Sequence, residues 1–163
     1  RVRFRHVLLA AWFLRRPSVT HYATVYFPGT DVPFTRVSEP RNRSASMAPL
    51  GHTSLVAEIP CADVDRVWSA TDSEVTATSQ PALERLGWMH ADEIVGTAVV
   101  RLQNAYPVLT LEAESAAAEV ARYLGRFDNL HLLGRNGLFQ YGWLHSVMRM
   151  GRTLVDDLPR FTG

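Results

Sequence analysis

Apolar and polar residues alternate at the start of the chain, with Val2, Phe4, His6 and Leu8 on one side, so the first residues read as a strand. "HYATVYF" alternates again, setting Tyr22, Thr24 and Tyr26 against Ala23, Val25 and Phe27; "FPGTDVPF" follows with the Pro, Gly and Asp of a turn. "VPFTRVSEP" reads as a further strand whose prolines put it at an edge or a loop entrance. "RNRSASMAPLG" is a loop and "HTSLVAEIP" a strand. Three strands with short connections predict an antiparallel meander.

The period then changes. "SATDSEVTATSQPALERLGW" carries Asp72, Ser73 and Glu74 as helix-start signals, Leu83 and Leu86 on one face and Gly87 as a stop. Pro81 within it predicts two short helices rather than one. "EIVGTAVVRLQNAYPVL" is β-branched and strand-like. "LEAESAAAEVARYLGRF" is the clearest helix, with acids early, Arg late and Gly125 near its end. "NLHLLGR" reads as a short buried strand, and "WLHSVMRMGRTLVDDL" as a final helix with Leu144, Val147, Met148, Gly151 and Leu154 along one side. The expected class is α+β: a mainly antiparallel sheet with flanking helices, ending in a strand, a glycine turn and a helix.

Composition narrows the partners. The chain has 163 residues, 47% of them hydrophobic, enough for a real core. A net charge of +1 argues against nucleic acid as a partner. All 17 basic residues are Arg, so no Lys amine is available for a Schiff base or as a general base. Cys61 is the single cysteine, which excludes an internal disulfide and fits a reducing, cytoplasmic compartment. The apolar run from Val7 to Leu14 is too short to cross a bilayer. A start in mid-strand, without Met, suggests a piece of a longer protein.

Candidate chemistry is sparse. The six histidines show no zinc-helix spacing, and neither G-x-x-x-x-G-K-[ST] nor G-x-G-x-x-G occurs. Arg36 on a half-buried strand must find a carboxylate, for which Glu58 on a neighbouring strand is suited, or an anionic ligand. Tyr106 precedes Pro107, where the chain stays extended; it is a core tyrosine or a cleft wall. In "LLGRNGLFQYGWLHSVMRMG", Gly134 and Gly137 permit close approach of the backbone and Arg135 adds a cation, as an ordinary joint or at a helix start that meets an anionic ligand.

"YFPGTDVPFTRVSEPRN", "TSLVAEIPC", "NAYPVL" and "NLHLLGRNGLFQYGWLHSVMRMG" stand in an order that resembles the flavin-dependent amine oxidase superfamily, in particular its protoporphyrinogen-oxidase-like and UDP-galactopyranose-mutase-like branch. The resemblance covers nearly the whole chain. It implies FAD, bound in the family through a Rossmann-type unit carrying the glycine fingerprint that is absent here. It therefore implies a C-terminal portion, with residues 1–128 as a substrate-type domain truncated at its start and residues 129–163 as a segment returning to the FAD-binding domain. Gly134 and Arg135 match the returning Gly-Arg beside FAD, and Leu144, His145 and Ser146 match the helix start facing the flavin. Arg36, Tyr106 and Tyr141 match positions that bind substrate or shape its site. The expected partners are a small-molecule substrate and the missing FAD-binding part or an equivalent subunit. Exposed apolar surface would favour self-association. Alone, the chain is expected to hold FAD weakly and to be inactive. Two alternatives stay open: a mutase-like flavoenzyme acting on a nucleotide sugar, and a catalytically silent fragment or partner subunit.

Overall fold

The computed structural model describes residues 3–158. The chain divides into two units, one of Arg5–Tyr106 and the other of Arg1–Phe4 with Pro107–Gly163.

The first unit is built on a five-stranded sheet. Its strands are β1 (Phe4–Leu14), β2 (Thr24–Tyr26), β3 (Arg36–Ser38), β4 (Thr53–Cys61) and β5 (Ile94–Pro107), in the order β2-β3-β4-β1-β5. The pairs β2–β3, β3–β4 and β4–β1 are antiparallel, so the predicted meander is β2-β3-β4. The alternation gives the sheet two unlike faces. Leu8, Ala10 and Trp12 of β1 lie opposite Ile59, Ala57 and Leu55 of β4, and all six are buried. The intervening residues, such as Leu9 opposite Glu58 and Ala11 opposite Val56, point to the other, more open face.

A helix closes the core. After the single turn of α1 (Arg66–Ser69), α2 (Asp72–Arg85) buries Val75, Ala82 and Leu83 in one cluster with the sheet, Phe34 and Met89. Thr71 and Glu74 form a capping box: the Glu74 N–H reaches Thr71 Oγ1 at 3.3 Å, and the Thr71 N–H reaches the Glu74 carboxylate at 2.8 Å. At the far end Gly87, with φ of +69°, lets Trp88 N–H bond Leu83 O at 3.0 Å and Gly87 N–H bond Glu84 O at 2.9 Å, a Schellman stop. Pro81 does not divide this helix, contrary to the sequence expectation. Burial of Val75 on one side of it and Ala82 and Leu83 on the other holds one axis through the missing hydrogen bond.

Glu39, buried just beyond β3, ties the loops of this unit together. Its carboxylate accepts the Val19 and Thr20 amides at 2.8 Å each, the Thr53 hydroxyl at 2.7 Å, the Asn42 side-chain amide at 3.0 Å and the Thr20 hydroxyl at 3.1 Å.

The second unit is helical: α3 (Leu111–Leu124), the single turn α4 (Gly134–Gly137) and α5 (Leu144–Asp157). Thr110 caps α3 by accepting the Ala113 N–H at 3.2 Å, with Glu112 and Glu114 in its first turn and Arg122 in its last. The segment "NLHLL" is not the buried strand its composition predicts. It joins no ladder, and Leu130 and Leu133 are exposed. An apolar run becomes a strand only where a partner offers hydrogen bonds, and periodicity cannot report that partner. Among the described residues of this unit only Ala113 and Gly134 are buried. No helix among the described residues is long and apolar enough to cross a membrane.

Candidate functional site

The open face of the sheet carries one candidate site. Register places Tyr26, Arg36 and Glu58 side by side across β2, β3 and β4. Arg36 Nη2 donates to the Glu58 carboxylate, and its Nη1 lies 3.5 Å from the Tyr26 hydroxyl, with the guanidinium 6.0 Å from the Tyr26 ring centroid. Both members of the ion pair are partly shielded, Arg36 at 33% and Glu58 at 17% side-chain exposure, so neither is a freely solvated surface charge. The hydrogen bond to Glu58 pushes the Arg36 guanidinium above its ordinary pKa; burial opposes this, while Tyr26 and the charges of Glu58 and Tyr106 add to it. Tyr106, half-buried near the end of β5, is thus within electrostatic reach of Arg36 although β4 and β1 separate their strands in the sheet. Arg36 Nε is buried and makes no hydrogen bond among the described residues. The group presents a neutralised ion pair, two phenols and one unsatisfied donor, a setting suited to an acceptor-bearing ligand.

A second, separate candidate site lies in the helical unit. Gly134 opens α4 with φ of +71°, a conformation that a side chain resists, and a β-carbon there would stand 3.4 Å from Val147 Cγ1 of α5. A β-carbon on Gly142 would meet Val147 Cγ2 at 3.7 Å and Arg135 Cγ at 4.0 Å. These are ordinary van der Waals distances, so what calls for glycine at 134 is its positive φ. The Arg135 guanidinium stands 5.6 Å from the Tyr141 ring centroid, and the Tyr141 hydroxyl donates to Pro107 O at 2.8 Å. Trp143, largely exposed at 77%, is the N-cap of α5, and its carbonyl accepts from Ser146 at 3.0 Å and Val147 at 3.1 Å. No side chain caps this end, so the amides of Leu144 and His145 belong to the open donors of the helix start.

The sequence reading expects a strand, a turn and then the long helix. The structure instead places α4 between the extended connector and α5, so Gly134 and Arg135 start a separate single turn rather than the helix of Leu144, His145 and Ser146. Arg135 and Tyr141 are brought together, and Gly134 is brought to α5 through Val147. Arg36 and Tyr106 are brought within electrostatic reach in the other unit. Sequence reasoning missed Tyr26 as a member of the Arg36 group; its signal was the alternation that set Tyr22, Thr24 and Tyr26 on one face. It also missed an apolar groove of about 1040 Å³ between α3 and the α4 region, lined by Val120, Ala121, Leu124, Leu132 and Phe139 among others.

No protein-family model and no curated protein matches the chain. Solved structures do. A UDP-galactopyranose mutase in its reduced form superposes with a TM-score of 0.74 at 17% identity, over 86% of this chain and 30% of its own. A protein assigned as a protoporphyrinogen oxidase, from Exiguobacterium sp. 255-15, superposes with a TM-score of 0.67 at 14% identity, over 96% of this chain and 35% of its own. The shared property is the fold, and this chain spans about a third of the length of each neighbour.

Proposed function

We propose that this chain is the substrate-side and cofactor-return portion of an FAD-dependent oxidoreductase of the amine oxidase and protoporphyrinogen oxidase type. The observation that carries the reading is the fold shared with a mutase and an oxidase-type protein over 86% and 96% of the chain, two names that the sequence resemblance groups in one flavin-dependent superfamily. In this reading residues 1–128 serve substrate and 129–163 return to the cofactor, whose remaining site lies in a separate Rossmann-type part or subunit.

The residues fit that assignment. The uncapped start of α5 offers the Leu144 and His145 amides, with Ser146 beside them, to an electron-rich ring edge, and Gly134 and Arg135 flank it. FAD would supply the two-electron redox chemistry. The chain itself would orient substrate: Arg36 meets it with a guanidinium plane that Glu58 fixes, and Tyr26 and Tyr106 wall the cleft. Because Glu58 already balances the charge of Arg36, the site selects hydrogen-bond acceptors rather than a bare dianion.

Absorbance of the chain mixed with FAD tests the division of labour. Weak, substoichiometric binding is expected; a yellow one-to-one complex formed by this chain alone would overturn the claim that the other half of the site lies elsewhere.

The mutase-like alternative, a flavoenzyme acting on a nucleotide sugar, is favoured by the superposition of 0.74 on UDP-galactopyranose mutase. Its test is UDP-sugar binding to the chain joined with its flavin-binding part. Arg36→Ala should weaken that binding about tenfold or more, the scale of one charge-assisted hydrogen bond. Unchanged affinity would remove Arg36 from the site.

A further inference from the structure

The most completely enclosed ionisable ring described in the chain, His6 in β1, takes no part in the proposed site. It is 2% exposed and lies opposite Cys61 in the β1–β4 register. Its ring stacks on Trp68 of α1 with centroids 4.4 Å apart and planes 25° from parallel. Both nitrogens are engaged. Nδ1 accepts the backbone N–H of Asn104 in β5 at 2.9 Å, and Nε2 lies 2.6 Å from Asp63 Oδ1. An N–H pointed at Nδ1 leaves room for no proton there, so the neutral ring carries its proton on Nε2 and donates it to Asp63. The second contact fixes the tautomer that the first requires.

The residue held in this way is unusual. Asn104 has φ of +53° within a strand, a left-handed conformation that costs free energy in any non-glycine residue. Asn tolerates it better than most residues, but an outlier in mid-strand persists only where its surroundings fix it. The His6 ring supplies that fixation from 98 residues away in sequence. Two residues further along the strand stands Tyr106.

We propose that His6 is a positioning residue: its Nε2–H tautomer, set by Asp63, latches the left-handed conformation of Asn104 and so sets the direction of Tyr106. The charged surroundings are few. Asp63 is 78% exposed and shares its field with water. Cys61 stays a thiol, since burial and Asp65 push its pKa up, Arg101 and Arg5 oppose them, and Asp63 adds to the rise. The stacked indole of Trp68 carries no charge.

The functional consequence rests on the reading of Tyr106 as a cleft residue, but the latch is tested without any ligand. Nitrogen-15 spectra of the whole chain at one fixed pH should show Nδ1 of His6 as an acceptor and the proton on Nε2. His6→Leu, which removes the acceptor, should lower the exchange protection of the Asn104 amide about tenfold or more and shift the Tyr106 amide, while Ala57 in the sheet core stays fixed. His6→Asn, which offers an acceptor near Nδ1, should restore both. An Asn104 amide equally protected in His6→Leu, or a Tyr106 amide that does not move, would overturn the latch. If the latch behaves as described and no flavin or substrate binding is found, the functional reading fails and the latch stands.

Discussion

At the residue scale, Glu39 shows how much one carboxylate can organise. Five donors from three segments converge on it in a site that is only 2% exposed. Burial alone would raise its pKa, but the amides of Val19 and Thr20 and the hydroxyls of Thr53 and Thr20 outweigh burial and hold it below the usual carboxylate range. The unfolded chain therefore takes up this proton first as pH falls. The contribution of Glu39 is fully present above an ordinary carboxylate pKa and is lost as pH drops through its depressed value. Urea midpoints measured between about pH 6 and pH 3 should fall more steeply for the native chain than for Glu39→Gln. Glu39→Ala should cost about 3 kcal/mol at neutral pH, since several donors lose their acceptor at once. An equal acid slope in the native chain and Glu39→Gln would show that the stabilisation is not ionic. None of this is legible in "VSEP": a Glu after a strand reads as a solvent-exposed charge, and only the fold brings residues 19, 20, 42 and 53 to it. Arg36 is the opposite case. The partner expected from the strand pattern, Glu58, is the one observed.

At the element scale, what the sequence displayed best were pieces whose local chemistry and tertiary burial agree. The helix α3 has its cap, early acids and late Arg in place, and β1 and β4 alternate from Leu8 to Leu14 and from Leu55 to Cys61. The failures have one cause. Pro81 and "NLHLL" were read from local preference alone, yet the first is overruled by burial on both of its sides and the second lacks the partner strand a ladder needs. Two substitutions test these accounts. Pro81→Ala, at an exposed position, should restore the bond to the Ala77 carbonyl and raise stability by about 1–2 kcal/mol, less than the full helix-interior penalty because proline also restricts the unfolded chain. A drop in thermal midpoint would mean that the helix is bent there to fit the core. Gly134→Ala should destabilise the helical unit by about 1–2 kcal/mol, from its positive φ. Circular dichroism melting would report both.

At the scale of the whole molecule, burial is unevenly shared. The hydrophobic cluster formed by Leu8, Trp12, Leu55, Leu83 and their neighbours lies wholly within Arg5–Tyr106, whereas the helical unit buries little among its described residues. Local stability follows buried apolar area, so amide exchange should be slowest in β1 and β4 and faster, by at least tenfold, in α3 and α5. Uniform protection across both units would contradict this ranking. The exposed Leu144, Met148 and Val155 of α5 and the groove beside α3 carry apolar surface of the kind that partners cover.

Trp143 also gives the chain an optical property. Trp12 is sealed in the sheet core, while Trp143 stands in solvent at the first turn of α5, directly beside the amides assigned to the flavin edge. An exposed indole emits at long wavelength and is open to collisional quenchers, so iodide quenches it ahead of the buried Trp12 and the half-buried Trp68 and Trp88. Any ligand that settles on that helix start will dim or shift the most exposed of the four indoles, and the candidate site therefore carries its own lamp.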